Sequence, residues 1–348
     1  MLFVKVDELK PGMRLGKPIY NKNGVLLYDR DTKLTMQAIY GIKNFRLLGL
    51  YILEPAEPVP PMSEDDINFE RFQTMAVFSI REDLDLIDSG KKDKGLDWLC
   101  SLIIKNYGDL NHKINFVQSL RSSEDYIYKH VLNVAILSAI IAGQMGFPVG
   151  RINLLVQQLP DAEDLDDGTK EVVKKNTQET LDRYGDLDEE VLRLITQMQE
   201  LYTRESDAEI PAGLKESVNA NILYVADAYD RMTAMKSFEE PTSEVKAVRE
   251  LLADEERYNK KIVNALIHGI SILYPGVCVE LSNGEKGLVI TENEDNIFEP
   301  TVLDFRNNNL YDLSDPSVKQ TIEIADVMKT MDNRIKLDKS LLEEYQAN

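Results

Sequence analysis

Residues 124–138, EDYIYKHVLNVAILS, read as a helix that is apolar nearly all round, and a helix of that kind has to be buried. One titratable group, His130, stands in its middle. Asn133 and Leu137 share its stripe at helical spacing. An imidazole left unpaired inside a core costs on the order of 1–3 kcal/mol. The chain must therefore bring a partner to His130 from elsewhere.

Residues 221–234, NILYVADAYDRMTA, form a second buried-type helix, whose acids Asp227 and Asp230 lie three apart. That spacing makes them near neighbours on a helix. A buried carboxylate must be paired, protonated or bound to a metal. The economical solution is that His130 meets Asp227. Two chemistries satisfy it: a metal site with imidazole and carboxylate ligands, or a plain histidine–aspartate hydrogen bond in the core. Spacing alone favours the plain pair.

Composition bounds the rest. The chain has 348 residues, 43% of them hydrophobic, which is enough for a core and for about two or three domains. A net charge of −20 argues against non-specific binding to nucleic acid or to anionic membranes, since both need a basic face. Cys100 and Cys278 lack metal-like spacing and read as reduced cytoplasmic thiols. Residues 1–12 carry charges too early for a secretion signal. The longest apolar run, 131–142, is interrupted by Asn133 and too short to span a bilayer. The expectation is a cytoplasmic protein with no membrane insertion and no nucleic-acid partner.

In chain order, residues 1–54 read as a small α+β unit. Strands are expected at 13–20 and 25–28 around a Lys22-Asn23-Gly24 turn, with a Thr35-capped helix and a strand at 50–53. Residues 55–66 are a proline-rich, acidic linker. Helices are expected over 67–274, with breaks at 88–90 and 107–109. They include a short helix over 152–159, then helices at 169–184, 187–203 and 214–234, one capped by Ser243, and a closing helix over 260–274. The acidic loop 160–168 lacks the ligand spacing of a calcium loop and reads as solvated. Residues 275–314 switch to period two, a small β appendage, and 315–348 form a charged, partly helical tail. The fold class expected is mainly α: a helical bundle between a small α+β unit and a small β appendage.

The segments around His130 and Asp227 carry a resemblance. EDYIYKHVLNVAILS is similar to the opening motif of the HD-GYP family, a branch of the HD superfamily of metal-dependent phosphohydrolases, and YVADAYDRMTA (224–234) to its last metal-ligand helix. The resemblance covers about 110–290, and the N-terminal unit looks like a companion domain often found upstream. It implies an HD-type bundle, two or three iron or manganese ions, and hydrolysis of cyclic di-GMP by a metal-activated water.

Carried over residue by residue, most ligands of that family are missing. Ala162 and Glu163 stand nearest its central His-Asp pair, Asn176 replaces a further histidine, and Met198 and Gln199 replace its tandem histidines. Glu209 and Ile210 replace glycine and tyrosine of the signature, of which Pro211, Gly213, Leu214 and Lys215 keep the pattern. Only three histidines exist in the chain, and His112 and His268 sit in other contexts, one exposed and one at a boundary or in the core. Methionine and glutamine cannot replace imidazoles on a hard catalytic metal.

The resemblance with lost ligands implies a pseudoenzyme, an inactive regulatory or interaction protein in cyclic-dinucleotide signalling. It would have a protein partner, a homodimer as an option, no catalytic residues, and His130–Asp227 as a vestigial structural pair. No cofactor is expected; if one is present, it is iron or manganese. One alternative is a cyclic di-GMP-binding module without turnover, with Lys215, Arg231 and Lys236 as its cations. Another is a residual mononuclear phosphodiesterase using His130, Asp227 and an acid such as Glu163 or Glu200.

Overall fold

The computed structural model describes residues 2–44, 49–53, 62–89, 97–116, 126–146, 189–203, 216–234 and 241–327, with Leu47 and Val59. Helices make up about half of these, and three small antiparallel sheets accompany them. The expected helices at 152–159 and 169–184, the loop 160–168 and the chain beyond 327 lie outside the described residues.

Six main elements build the N-terminal unit: β1 (Leu2–Lys5), β2 (Arg14–Leu15), β3 (Ile19–Tyr20), β4 (Leu26–Tyr28), α1 (Met36–Lys43) and β5 (Gly49–Leu53). β5 is the central strand, with β1 and β2 on its two edges; Leu2 faces Ile52 and Leu15 faces Ile52 from the other side. The strand expected over 13–20 is in fact two. Gly16 and Lys17 bend the chain, Pro18 has no N–H for a ladder, and β3 turns away to pair with β4. Thr35 caps α1, its hydroxyl accepting from the Ala38 N–H at 3.1 Å. Leu15, Leu34, Ile39, Ile42 and Ile52 form a core of their own.

The bundle starts with α2 (Glu64–Asp88), so the expected linker ends earlier than residue 66. A reciprocal cap sets the start: the Asp66 N–H donates to Ser63 Oγ at 3.1 Å, and the Ser63 N–H to Asp66 Oδ2 at 2.8 Å. α3 (Asp97–Tyr107), α4 (Tyr126–Gln144), α5 (Glu189–Thr203), α6 (Val218–Thr233), α7 (Glu244–Ala253) and α8 (Lys260–Gly269) follow. α4 is the axis. It packs against α2, α3, α6 and α8, and Leu132, Val134, Ile136, Leu137, Ile140 and Ile141 are all buried. This explains its lack of a polar face.

Two helices are shorter than their sequence pattern. The one expected over 214–234 is interrupted at Ser217, which is extended and whose hydroxyl caps the Ala220 N–H. The closing helix ends at Gly269 rather than residue 274. Ile270 turns extended, and the chain bridges to Ile114 through Ile114 N–H to Gly269 O (3.2 Å) and Ser271 N–H to Ile114 O (2.7 Å). Gly269 is needed there: a Cβ would fall 2.1 Å from Ile140 Cγ2 on α4.

The C-terminal sheet contains β6 (Cys278–Leu281), β7 (Lys286–Thr291), β8 (Thr301–Asp304) and β9 (Leu310–Asp312); after the short α9 (Pro316–Lys319), β10 (Ile324–Val327) completes it. Its order is β10-β6-β7-β8-β9. The charged tail expected from residue 315 therefore contains a strand. Ile322 and Ile324 are buried there among charges, in the same core as Val279, Val289, Val302 and the bundle. The Arg249 guanidinium on α7 holds β10 through the carbonyls of Ile324 and Ala325, while Ser243 and Lys246 bond Asp326. No helix among the described residues is long and apolar enough to cross a membrane.

Candidate functional site

α4 and α6 lie side by side, and their polar residues face one another. His130 on α4 is only 5% exposed, and Asp227 and Asp230 on α6 are more deeply buried still. The ring lies between the two carboxylates: Nε2 is 3.0 Å from Asp227 Oδ1, and Nδ1 is 2.7 Å from Asp230 Oδ2. Ionised carboxylates only accept, so with both aspartates charged each ring nitrogen donates a proton. His130 is an imidazolium. Burial pulls its pKa down, but the hydrogen bonds to Asp227 and Asp230 and their charges outweigh that and raise it from 6.5 to about 10. The Tyr126 ring, one turn earlier, stacks on the charged ring at 5.7 Å between centroids and 18° between planes.

The cluster continues in both directions. Asp227 Oδ2 accepts from the guanidinium of Arg231, one turn further along α6. Asp230 Oδ1 accepts from Asn133 Nδ2 at 2.8 Å, and Asn133 Oδ1 accepts from Gln73 Nε2 of α2 at 3.1 Å. Three helices thus share one buried polar chain: Gln73, Asn133, Asp230, His130, Asp227, Arg231. Within this polar chain two carboxylates, Asp227 and Asp230, stand against two cations, His130 and Arg231. Such balance is what makes burial of four ionised groups tolerable.

His130 and Asp227, expected as partners, are in contact. Arg231, expected among cations for a phosphate ligand, is 5% exposed and bonded to Asp227, so it turns inward to the cluster. Lys215, Lys236, Glu163 and Asn176 lie outside the described residues. Met198 is a buried core residue of α5, while the next positions, Gln199 and Glu200, are half-buried and exposed. His112 is exposed, its Nδ1 3.0 Å from Asn111 Oδ1 and its Nε2 3.3 Å from Asp65 Oδ2. His268, expected at a boundary or in the core, is exposed instead: it shares α8's solvent stripe with Lys261 and Asn264 and donates Nδ1–H to the Asn264 carbonyl at 2.6 Å.

Three participants escaped the sequence-level assignment. Asp230 was signalled by its spacing from Asp227, and Asn133 by its place one turn after His130. Gln73 had no signal, because nothing local says which face of α2 meets α4.

A divalent metal needs free lone pairs. Here each oxygen of Asp227 and Asp230 accepts a bond from His130, Arg231 or Asn133, and among the described residues no group of three or more His, Cys, Asp and Glu could hold a metal ion. The guanidinium adds positive charge beside them. The donor set as it stands does not fit the iron or manganese centre of a phosphodiesterase. Compared with protein-family models, curated proteins and solved structures, the chain matches none.

Proposed function

We propose that this chain is a non-catalytic regulatory protein that retains an HD-GYP-like helical scaffold and acts in cyclic-dinucleotide signalling through a protein partner. The doubly bonded His130 ring carries this reading. Metal-assisted hydrolysis of a phosphodiester needs ions that acidify water and neutralise phosphate charge. The groups that would hold such ions are bonded to one another and to Arg231. The pairing of a histidine helix with an aspartate helix, in the order of the resembling motifs, supports the scaffold. The N-terminal α+β unit, with a core of its own, supports a regulatory role.

The test is an assay of the full-length protein with cyclic di-GMP and excess Mn²⁺ or Fe²⁺. The expected result is no linear or mononucleotide product. Turnover that disappears in His130→Ala would overturn the proposal.

A further inference from the structure

We infer that the β3–β4 hairpin, with the flank of α2 it rests on, is a docking surface for an acidic and apolar segment of a partner protein, which pairs with the open edge of β4. The inference rests on the reading above, that the chain works through a protein partner, and names the surface and the chemistry of that partner.

Charge is divided unevenly along the chain. Residues 1–53 hold nine Lys and Arg against four Asp and Glu, a net +5, so residues 54–348 carry −25 to give the chain's −20. The basic unit is apolar at its hairpin. Val25, Leu26 and Leu27 are consecutive and 56%, 45% and 37% exposed. Edge strands are ordinarily blunted by charge or proline; β4 has neither, and its outer edge has no strand partner among the described residues. The register slips between the pairs Ile19–Tyr28 and Tyr20–Leu26, which leaves Leu27 without an opposite residue on β3.

The strip is held in place at both ends. In the turn, Asn21 Oδ1 accepts from the N–H groups of Asn23 and Val25 at 2.9 and 3.0 Å, and Gly24 takes a φ of +72°. Met75 and Arg71 of α2 fill the space beside Gly24, and Met75 is itself 42% exposed. At the other end Tyr28 Oη lies against Gly41 of α1, whose neighbour Tyr40 is exposed. An apolar strip thus runs from α2 along β4 to α1. Lys22, exposed in the turn, and Arg71, exposed and bonded to the neutral Asn68, flank it with positive charge. The hairpin's acid, Asp29, bonds back to the Arg30 N–H at 2.8 Å. A second copy offering the same face would set one basic unit against another, and an anionic membrane would meet the −25 of the remaining chain. An acidic segment complements the flanking cations, and its main chain can pair with the open edge.

The experiment titrates full-length protein into a labelled, end-blocked peptide of alternating valine and glutamate, read by fluorescence anisotropy, with a valine–lysine peptide as the counterpart. Wild type should bind the glutamate peptide roughly tenfold more tightly than the lysine one, against the sign of the whole chain's charge, and less tightly as salt rises. Amide hydrogen exchange should slow at residues 25–27 in the complex. Leu26→Thr/Leu27→Thr should weaken binding at least about tenfold, with an unchanged melt. Lys22→Glu, at an exposed turn position, should weaken it severalfold, and it decides the matter if the double variant does not fold. The inference is overturned by no binding of the glutamate peptide at about 1 mM, by preference for the lysine peptide, or by binding that leaves exchange at 25–27 unchanged. It is equally overturned if the double variant abolishes binding to phosphatidylglycerol vesicles or self-association of wild type, which would give the surface to a membrane or to a second copy. Turnover of cyclic di-GMP by wild type sinks the non-catalytic reading whatever the peptide does; failure of the peptide sinks only this surface.

Discussion

His130 holds a proton because two carboxylates bracket it, and this makes stability depend on pH. The unfolded imidazole titrates near 6.5 and the folded one near 10. A pKa raised by folding stabilises fully below the unfolded value, and that stabilisation is lost as pH rises towards the folded value. Unfolding free energy should therefore fall between about pH 7 and pH 9, by up to about 1.4 kcal/mol per pH unit. Urea melts across that window check it, with His130→Gln as the control whose slope should be flatter. Parallel slopes in the two proteins would contradict the assignment. The partners should differ in rank. Asp227 joins both cations, so Asp227→Ala leaves one buried positive charge without its counter-charge and should cost about 3–5 kcal/mol. Asn133→Ala removes a neutral amide and should cost about 1–3 kcal/mol. Denaturant melts of the two variants would expose a reversed order.

At the scale of elements, α2 joins the two cores. Glu70 faces the N-terminal unit, where it pairs with the buried Lys17, and Lys17 lies over the Tyr51 ring at 5.6 Å. Gln73, one turn on, faces α4 and bonds Asn133. The β3–β4 turn rests on the same helix: the space a side chain at Gly24 would need is filled by Met75 and Arg71. Glu244, at the start of α7, also senses this junction; burial pushes its carboxyl up, and the Lys17 charge opposes that. Lys17→Met should strand Glu70 and cost about 3–5 kcal/mol, whereas the double variant Lys17→Met/Glu70→Leu should recover most of it, because apolar replacement of a whole buried pair is often neutral. A double variant as unstable as the single one, in the same melt, would mean that the pair is not the source of the loss.

At the scale of the molecule, the C-terminal sheet belongs to the bundle's core, because Val279, Leu281, Ile322 and Ile324 are buried with the helices. Ending the chain after Leu313 would remove β10, open the edge of β6 and withdraw the partner of Arg249. The truncated protein should melt earlier and form higher-mass species on size-exclusion chromatography, since an open apolar edge invites pairing between chains. A monomer with an unchanged melt would refute this.

The helical course of the chain was readable from local chemistry. Thr35 and Ser243 announced their helices as caps, because capping involves residues only a few positions apart. The need for a partner at His130 was equally plain, since an apolar helix cannot leave an imidazole unpaired. Other features were not local. The expected strand over 13–20 divides because two different partner strands claim its halves. β10 lay hidden among charges because its case rests on β6, more than forty positions earlier, and on Arg249. Arg231 was expected among cations for a ligand and instead bonds Asp227, because a side chain's direction depends on which neighbour packs against its helix.

So the amino-acid order alone determined the approximate course of the described helices, that His130 would be buried, and that few imidazoles exist to hold metal. Only the packing of α2, α4 and α6 decided that His130 carries two protons, that Asp230 and Gln73 join it, and that Arg231 closes the circuit. The reason is range: helix formation and capping act within a turn or so, whereas charge balance in a core is settled by groups some hundred positions apart in the chain.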